Sequence, residues 1–402
     1  MTLGAYEALF WLMFSAQDNG LGRLRDDNNL PQGNLSMSDT SAPVLATVRN
    51  RIGHLTLNNP AGLNALTLPM IRILWNQLMA WEDDPHVLAV VFRAEGEKAF
   101  CAGGDIRSLY DSFKAGSDLH TVFFEEEYAL DEYIHAYPKP TLALMDGLVL
   151  GGGMGLVQGT TFRVITGRVK MAMPEVGIGY FPDVGASHFL SRMQGELGVY
   201  LGITGIQVRA ADALYCGLAN WCLPRDHLTE FDQGLDTLDW SGSPEATLRA
   251  LLASFASRKL PGSELRAFQR VIDEYFSLPD IPSIRAALLN ETRPQYVDWA
   301  EGTVKVIDSR SPLAMAVTLE LIRRGRNLSL AKCFQLELHL DRQWFAKGDI
   351  MEGVRALIID KDKNPRWNPP SIDEVKASQV KEFFNKFKTA YTDHYANAVT
   401  TQ

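Results

Sequence analysis

Cysteine is scarce in this 402-residue chain: Cys101, Cys216, Cys222 and Cys333 are scattered and form no Cys-x-x-Cys. That excludes a disulfide scaffold or a zinc ribbon and points to a reducing compartment. No His-Glu-x-x-His occurs either, so no metal site is expected. Long apolar runs are also missing. The longest near the start, Ala8 to Phe14, falls far short of the roughly 20 residues of a membrane span. It follows Glu7 rather than a basic stretch, and so reads poorly as a signal peptide. Basic charge is in deficit, with 39 Lys+Arg against 48 Asp+Glu and a net charge of −9. A broad nucleic-acid or anionic-membrane surface is thereby disfavoured, because phosphate binding needs clustered cations. What remains, 46% hydrophobic and 22% charged, is a globular composition that excludes whole-chain disorder.

Three glycine signatures are absent as well. A dinucleotide turn needs glycines at i, i+2 and i+5. From Gly151 the third position is Leu156, and from Gly153 it is Gln158. There is no Gly-Lys-Ser/Thr phosphate loop. The nearest approach to a nucleophile elbow, Gly185-Ala-Ser187-His-Phe189, lacks its second glycine.

Residues 1–42 are polar and turn-rich after the apolar patch and read as a flexible leader. Val44–Asn50 and Ile52–Asn58 alternate apolar and polar residues, which predicts two strands joined by a short turn. Helical patterns follow at Pro69–Trp81, from Asp105, and at Thr121–His135, interleaved with strand-like Val87–Phe92 and Thr141–Met145. Strand and helix alternate to about Pro224, so the fold class is α/β. From about residue 244 the pattern turns helical, with Pro244–Phe255, Pro312–Arg324, Ala331–Trp344 and Asp373–Tyr391 as predicted helices. In the last, Val380, Phe383, Phe384 and Phe387 share one face. The expected organisation is a leader (1–42), an α/β core (43–243) and a helical region (244–402).

Two glycine turns remain, Cys101-Ala-Gly-Gly-Asp-Ile106 and Gly151-Gly-Gly-Met-Gly155, each between a strand-like and a helical segment. Glycine allows close approach to the backbone, and helix N-termini carry free N–H donors. Such turns brought together can aim two N–H groups at one carbonyl oxygen, an oxyanion hole. Taken alone, they read first as tight turns.

The ordered set Asn59-Pro-Ala-Gly-Leu-Asn-Ala-Leu66, Lys98-Ala-Phe-Cys-Ala-Gly-Gly-Asp-Ile106, Gly151-Gly-Gly153 and Met173-Pro-Glu175 resembles the crotonase (enoyl-CoA hydratase/isomerase) superfamily. Phe124-Glu-Glu-Glu-Tyr128, the run Met173 to Gly185, Met351-Glu-Gly-Val-Arg-Ala356 and Pro365-Arg-Trp-Asn-Pro369 are similar to its 3-hydroxyacyl-CoA hydrolase branch. The resemblance covers about residues 44–370. It implies a spiral of ββα units with a mainly helical C-terminal part. It implies hydrolysis of a short 3-hydroxyacyl-CoA thioester, foremost 3-hydroxyisobutyryl-CoA, as in valine breakdown. Coenzyme A is then part of the substrate, and no cofactor is implied. A homo-oligomer fits the superfamily, no nucleic-acid or membrane partner does, and cytoplasm is the expected location, a mitochondrial matrix being the alternative.

Carried over position by position, the resemblance gives the N–H groups of Gly104 and Gly152 as oxyanion donors. It sets Asn64, Ala65, Leu66, Ala102, Asp105 and Ile106 along the CoA path, Glu175 and Asp183 as an acidic pair, and Glu127 as a further acid meeting the substrate. Glu175 can act as general base for water or attack the carbonyl itself. Asp183 reads by itself as the N-cap of a helix from Val184. Glu127 has independent support, because Phe123, Glu127, Leu130 and Ile134 form one helical stripe and a carboxylate there needs a partner or a polar pocket. At Gly155, hydratases of the superfamily carry a second catalytic Glu, and this chain has no side chain. Cys101 and His188 read as a buried thiol and a helix residue. The rival readings are enoyl-CoA isomerase or hydratase chemistry in the same pocket, and a non-catalytic acyl-CoA-binding protein.

Overall fold

The computed structural model describes residues 41–257, 260 and 262–387. The first alternating segments pair as an antiparallel hairpin, β1 (Val44–Arg49) with β2 (Ile52–Leu57). Asn50 and Arg51 make the two-residue turn, both at positive φ (44° and 64°), which matches the twist of a tight hairpin.

From β2 onward the strands add in parallel. β3 (Ala89–Ala94), β5 (Thr141–Met145), β7 (Phe162–Thr166) and β9 (Trp221–Leu223) extend a six-stranded sheet of order β1-β2-β3-β5-β7-β9. β4 (Ala99–Cys101), β6 (Leu148–Leu150) and β8 (Lys170–Ala172) form a second parallel sheet, β4-β6-β8. The chain thus lays one strand in the large sheet, one in the small sheet, then a helix, and repeats. This is the ββα spiral expected. Its consequence for function is geometric: the carboxyl ends of β4, β6 and β8 lie side by side, where parallel sheets bind ligands.

Local chemistry sets the helices. In α1 (Leu68–Glu82) the Thr67 side chain caps the Met70 N–H, Pro69 occupies the first turn, and Met70, Leu74, Leu78 and Trp81 turn inward. Asp105 caps α2 (Ile106–Ala115), accepting from the Ser108 amide, and Gly116 at φ 68° ends it. The long helix α3 (Leu119–Ala136) buries Phe123, Glu127, Leu130 and Ile134, the predicted stripe, together with Phe124, Tyr128 and Asp131. Helix α4 (Gly152–Gln158) starts directly after β6.

Helices Leu228–Asp236 and Pro244–Phe255 bring Phe231, Leu235, Leu248 and Leu252 to the outer face of the large sheet, in one cluster with Val91, Leu142 and Val164. Later helices, including α5 (Leu330–Lys347), join the main core through residues such as Phe334, Leu340 and Trp344. The last predicted helix differs. Ile372–Glu374 is a 3-10 turn and the helix runs only over Ala377–Phe384, because Asn385 turns extended. Phe383 and Phe384 are buried as expected, and residues beyond 387 lie outside the described residues. Among the described residues no helix is long and apolar enough to cross a membrane.

Candidate active site

At the end of β4 the backbone is held by residues 63–66. Ala102 donates to the Leu63 carbonyl (3.1 Å), Leu66 to Gly103 (2.8 Å) and Asp105 to Leu66 (2.9 Å). Gly103 adopts φ 103°, a conformation that favours glycine. At the end of β6, Gly151 (φ 48°) donates to Ala172 of β8 at 3.2 Å, and Gly152 opens α4 with one of the N–H groups a helix leaves unpaired. The two turns converge. A Cβ placed on Gly152 would lie 3.5 Å from the Gly104 nitrogen, and one on Gly103 would lie 3.8 Å from the Gly152 nitrogen.

Around them is a cleft. Ala102, Gly103, Gly104 and Ile106 line one side, Phe123, Phe124 and Glu127 of α3 another, and Gly151, Gly152, Glu175, Tyr180 and Asp183 the rest. Of the residues expected along the CoA path, Ala102 and Ile106 are in this lining, whereas Asn64, Ala65, Leu66 and Asp105 are not; Leu66 and Asp105 brace the Gly103 turn through the hydrogen bonds above. Asn64 is fully buried, its amide donating to the Glu95 and Ala99 carbonyls (2.9 and 3.1 Å) and its oxygen accepting from the Asn59 amide at 2.8 Å. That side chain straps the 59–66 segment to β3 and β4.

Glu175 follows β8 and starts a 3-10 turn, Glu175–Ile178. A Cβ on Gly151 would meet its Oε1 at 2.7 Å, and its Oε2 is buried with no hydrogen-bond partner among the described residues. Glu127 reaches the same place from α3. A Cβ on Gly152 would overlap its Oε1, which is likewise unpartnered. The three carboxyl ends of the small sheet, with one helix face, therefore gather both glycine turns and two acids.

Asp183 is not a helix cap. Val184 and Gly185 both have positive φ (50° and 84°), and the helix starts only at Ala186 with Gly185 as its cap residue. The left-handed pair turns the chain so that Asp183 lines the cleft, where its Oδ2 accepts a 2.7 Å hydrogen bond from the Tyr128 hydroxyl.

Burial dominates the electrostatics. It raises the Glu175 carboxyl well above the usual range, with the nearby Asp183 and Glu127 charges adding to it. Glu127 is raised well above its ordinary value by burial, then by Asp183 and Asp341. Asp183 is pushed up to about 7 by burial, against the Tyr128 hydrogen bond, which favours its charged form. A desolvated carboxylate of raised pKa is a stronger base, suited to proton abstraction near neutrality.

Other groups here carry no motif of their own. Asp131, one turn after Glu127, is fully buried, and neither of its oxygens has a partner among the described residues. It fills the space beside Gly155, where an added Cβ would overlap Asp131 Oδ2 and meet Val184 at 2.5 Å. From α5, Glu337 accepts from the Gly185 amide (2.6 Å), the Ser187 amide (2.8 Å) and the Ser187 hydroxyl (2.5 Å). Asp341 accepts from the Tyr180 hydroxyl at 2.8 Å, and the Trp344 indole donates to Gly179 at 2.8 Å. The i, i+4, i+7 spacing could have marked one face of α5, but not what it docks against. Cys101 is buried with its thiol pushed up to about 12, as burial dictates, and His188 lies in the short helix Ala186–Phe189. No group of three or more potential metal ligands occurs among the described residues.

Comparison with known proteins adds three findings. A family profile described as enoyl-CoA hydratase/isomerase matches residues 52–384. Curated relatives include 3-hydroxyisobutyryl-CoA hydrolases of Gallus gallus, named mitochondrial (37% identical over 350 residues, 86% of this chain and 90% of that one), and Arabidopsis thaliana (34% over 354 residues, 86% and 92%). Among solved structures, a carnitinyl-CoA dehydratase from Mycobacterium thermoresistibile is 36% identical with a TM-score of 0.78, covering 88% of this chain and 97% of that one. An enoyl-CoA hydratase from Rhodobacter sphaeroides is 34% identical, also with a TM-score of 0.78, covering 86% and 97%.

Proposed function

The chain belongs to the enoyl-CoA hydratase/isomerase family, and from that premise we propose that it hydrolyses a short 3-hydroxyacyl-CoA thioester, 3-hydroxyisobutyryl-CoA foremost. The observation that carries the reading is the meeting of the Gly104 and Gly152 turns with Glu175 and Asp183 in one cleft. The thioester oxygen sits between the two N–H groups, which stabilise the charge it gains as the carbonyl carbon becomes tetrahedral. Glu175 supplies the push. As a base it takes a proton from water while the oxygen of that water bonds to the carbonyl carbon. As a nucleophile it bonds there itself, and water then cleaves the mixed anhydride. In both routes the C–S bond breaks and the electron pair leaves with sulfur: in the first, Glu175 passes the proton it took from water to the sulfur, and in the second CoA leaves as the thiolate and takes up the proton that water releases as it cleaves the anhydride. Asp183 and Glu127 orient the hydroxyacyl group.

Water addition across a double bond, as the names of the two solved relatives suggest for those proteins, fits less well. It calls for a second acid at Gly155, where there is no side chain and where Asp131 and Val184 fill the space. Glu175→Gln tests the assignment. It keeps the shape and removes the base, and CoA release from 3-hydroxyisobutyryl-CoA is expected to fall by about 10²–10⁴. Release at the wild-type rate would end the assigned role.

A further inference from the structure

Asp183 is a poor reader of a hydroxyl unless something fixes its direction, since a carboxyl among other carboxyls can rotate and protonate. Around it stand Glu127, Asp131 and Tyr128 on α3, Glu175 and Tyr180 on its own stretch of chain, and Glu337 and Asp341 on α5. Tyr180 commits its hydroxyl proton to Asp341 at 2.8 Å. Tyr128 gives its own to Asp183 Oδ2 at 2.7 Å, and both partners are buried. The phenol is fixed in turn, packing its ring against Phe124 (centroids 5.9 Å) and Phe334 of α5 (6.0 Å). The backbone after Asp183 is clamped by Glu337 through the Gly185 and Ser187 amides.

We propose that Tyr128 is the positioning residue that makes Asp183 selective for 3-hydroxyacyl groups: the phenol holds Oδ2, and Oδ1 accepts the substrate's 3-hydroxyl. This rests on the hydrolase reading above. A hydrogen bond to a charged group in a buried site is shorter and stronger than a neutral one, so its loss frees the carboxyl to turn and to protonate. The phenol also favours the ionised form of Asp183, which is the better acceptor.

The test is Tyr128→Phe, alone and with Asp183→Asn, assayed for CoA release from 3-hydroxyisobutyryl-CoA and from isobutyryl-CoA, which has the same skeleton without the hydroxyl. Tyr128→Phe is expected to lower kcat/KM for the hydroxylated substrate about 10- to 100-fold. It should leave isobutyryl-CoA within about twofold and move the acid limb of the pH profile upward. In the Asp183→Asn background it should cost nothing further, and this cycle decides the matter if isobutyryl-CoA turns over too slowly to follow. Equal losses on both substrates, or a full additional loss in the Asp183→Asn background, would overturn the proposal while leaving the hydrolase reading intact. Wild-type enzyme that releases no CoA from 3-hydroxyisobutyryl-CoA would overturn the reading beneath it.

Discussion

Gly152→Ala separates catalysis from folding, because the added methyl meets the cleft and not the core. Gly152 is the first residue of α4 and its backbone is not left-handed, so alanine fits the conformation. Alanine also favours a helix over glycine by about 1 kcal/mol. The new Cβ would overlap Glu127 Oε1, the tip of a flexible side chain, and stand 3.5 Å from the Gly104 nitrogen. It therefore enters the space assigned to the thioester oxygen and displaces Glu127 with little burden on the core. Alanine keeps its backbone N–H, but the methyl shuts the oxygen out of its seat between the two donors; losing the use of one donor costs about 3 kcal/mol of transition-state stabilisation, or about 150-fold in kcat/KM. The assay is CoA release with a thiol-reactive dye, paired with a thermal melt that should shift by only a few degrees. Gly153→Ala is the contrasting control. Its Cβ would meet the Cys101 carbonyl at 2.6 Å, a backbone atom that cannot move aside, so that variant should melt early. A folded Gly152→Ala enzyme within about threefold of wild type would refute the oxyanion assignment.

Two further outcomes follow from the buried acids. Asp131 is raised well above its ordinary 3.8, by burial first and then by Glu127, Asp183 and Glu337, so its proton favours the folded state. The stability it contributes is fully present below about pH 4 and is lost as pH rises toward the folded value, by about 1.4 kcal/mol per unit. Asp131→Asn cannot ionise, so its melting temperature relative to wild type should climb from pH 5 to pH 8, and a difference independent of pH would contradict this. Glu337→Leu strands the buried Gly185 and Ser187 amides, at about 1–3 kcal/mol each, so it should melt markedly earlier, with Glu337→Gln recovering part of the loss. Melting of Glu337→Leu at the wild-type temperature would show that the clamp carries no stability.

Strands and helices were legible where pattern and chemistry agree. Thr141–Met145 and Pro244–Phe255 form over the spans their periodicity predicts, and the α3 stripe was visible because Glu127 interrupts an apolar face. The glycine turns alone read as tight turns; only together with the motifs around them, as a family resemblance, did they suggest the place of the site. Asp183 misled only when read alone, because Asp before a helical segment is a usual cap; the resemblance set it beside Glu175, and the left-handed Val184 and Gly185 that turn it inward show no signature of their own. Tyr128, Asp131, Glu337 and Asp341 were beyond reach for a different reason. Each is an ordinary helical residue until α3 and α5 meet the 179–187 segment, and no spacing within one helix reports what another element brings to its face.

The measurement closest to the centre of the account is CoA release by the wild-type protein offered 3-hydroxyisobutyryl-CoA, 3-hydroxypropionyl-CoA, crotonyl-CoA and acetyl-CoA in parallel. A converging oxyanion pair, Glu175 and a hydroxyl-reading Asp183 predict rapid release from the two hydroxyacyl thioesters and little from the others. Release from none of them, with crotonyl-CoA instead losing its double bond as it takes up water, would contradict the hydrolase and return the cleft to hydratase chemistry.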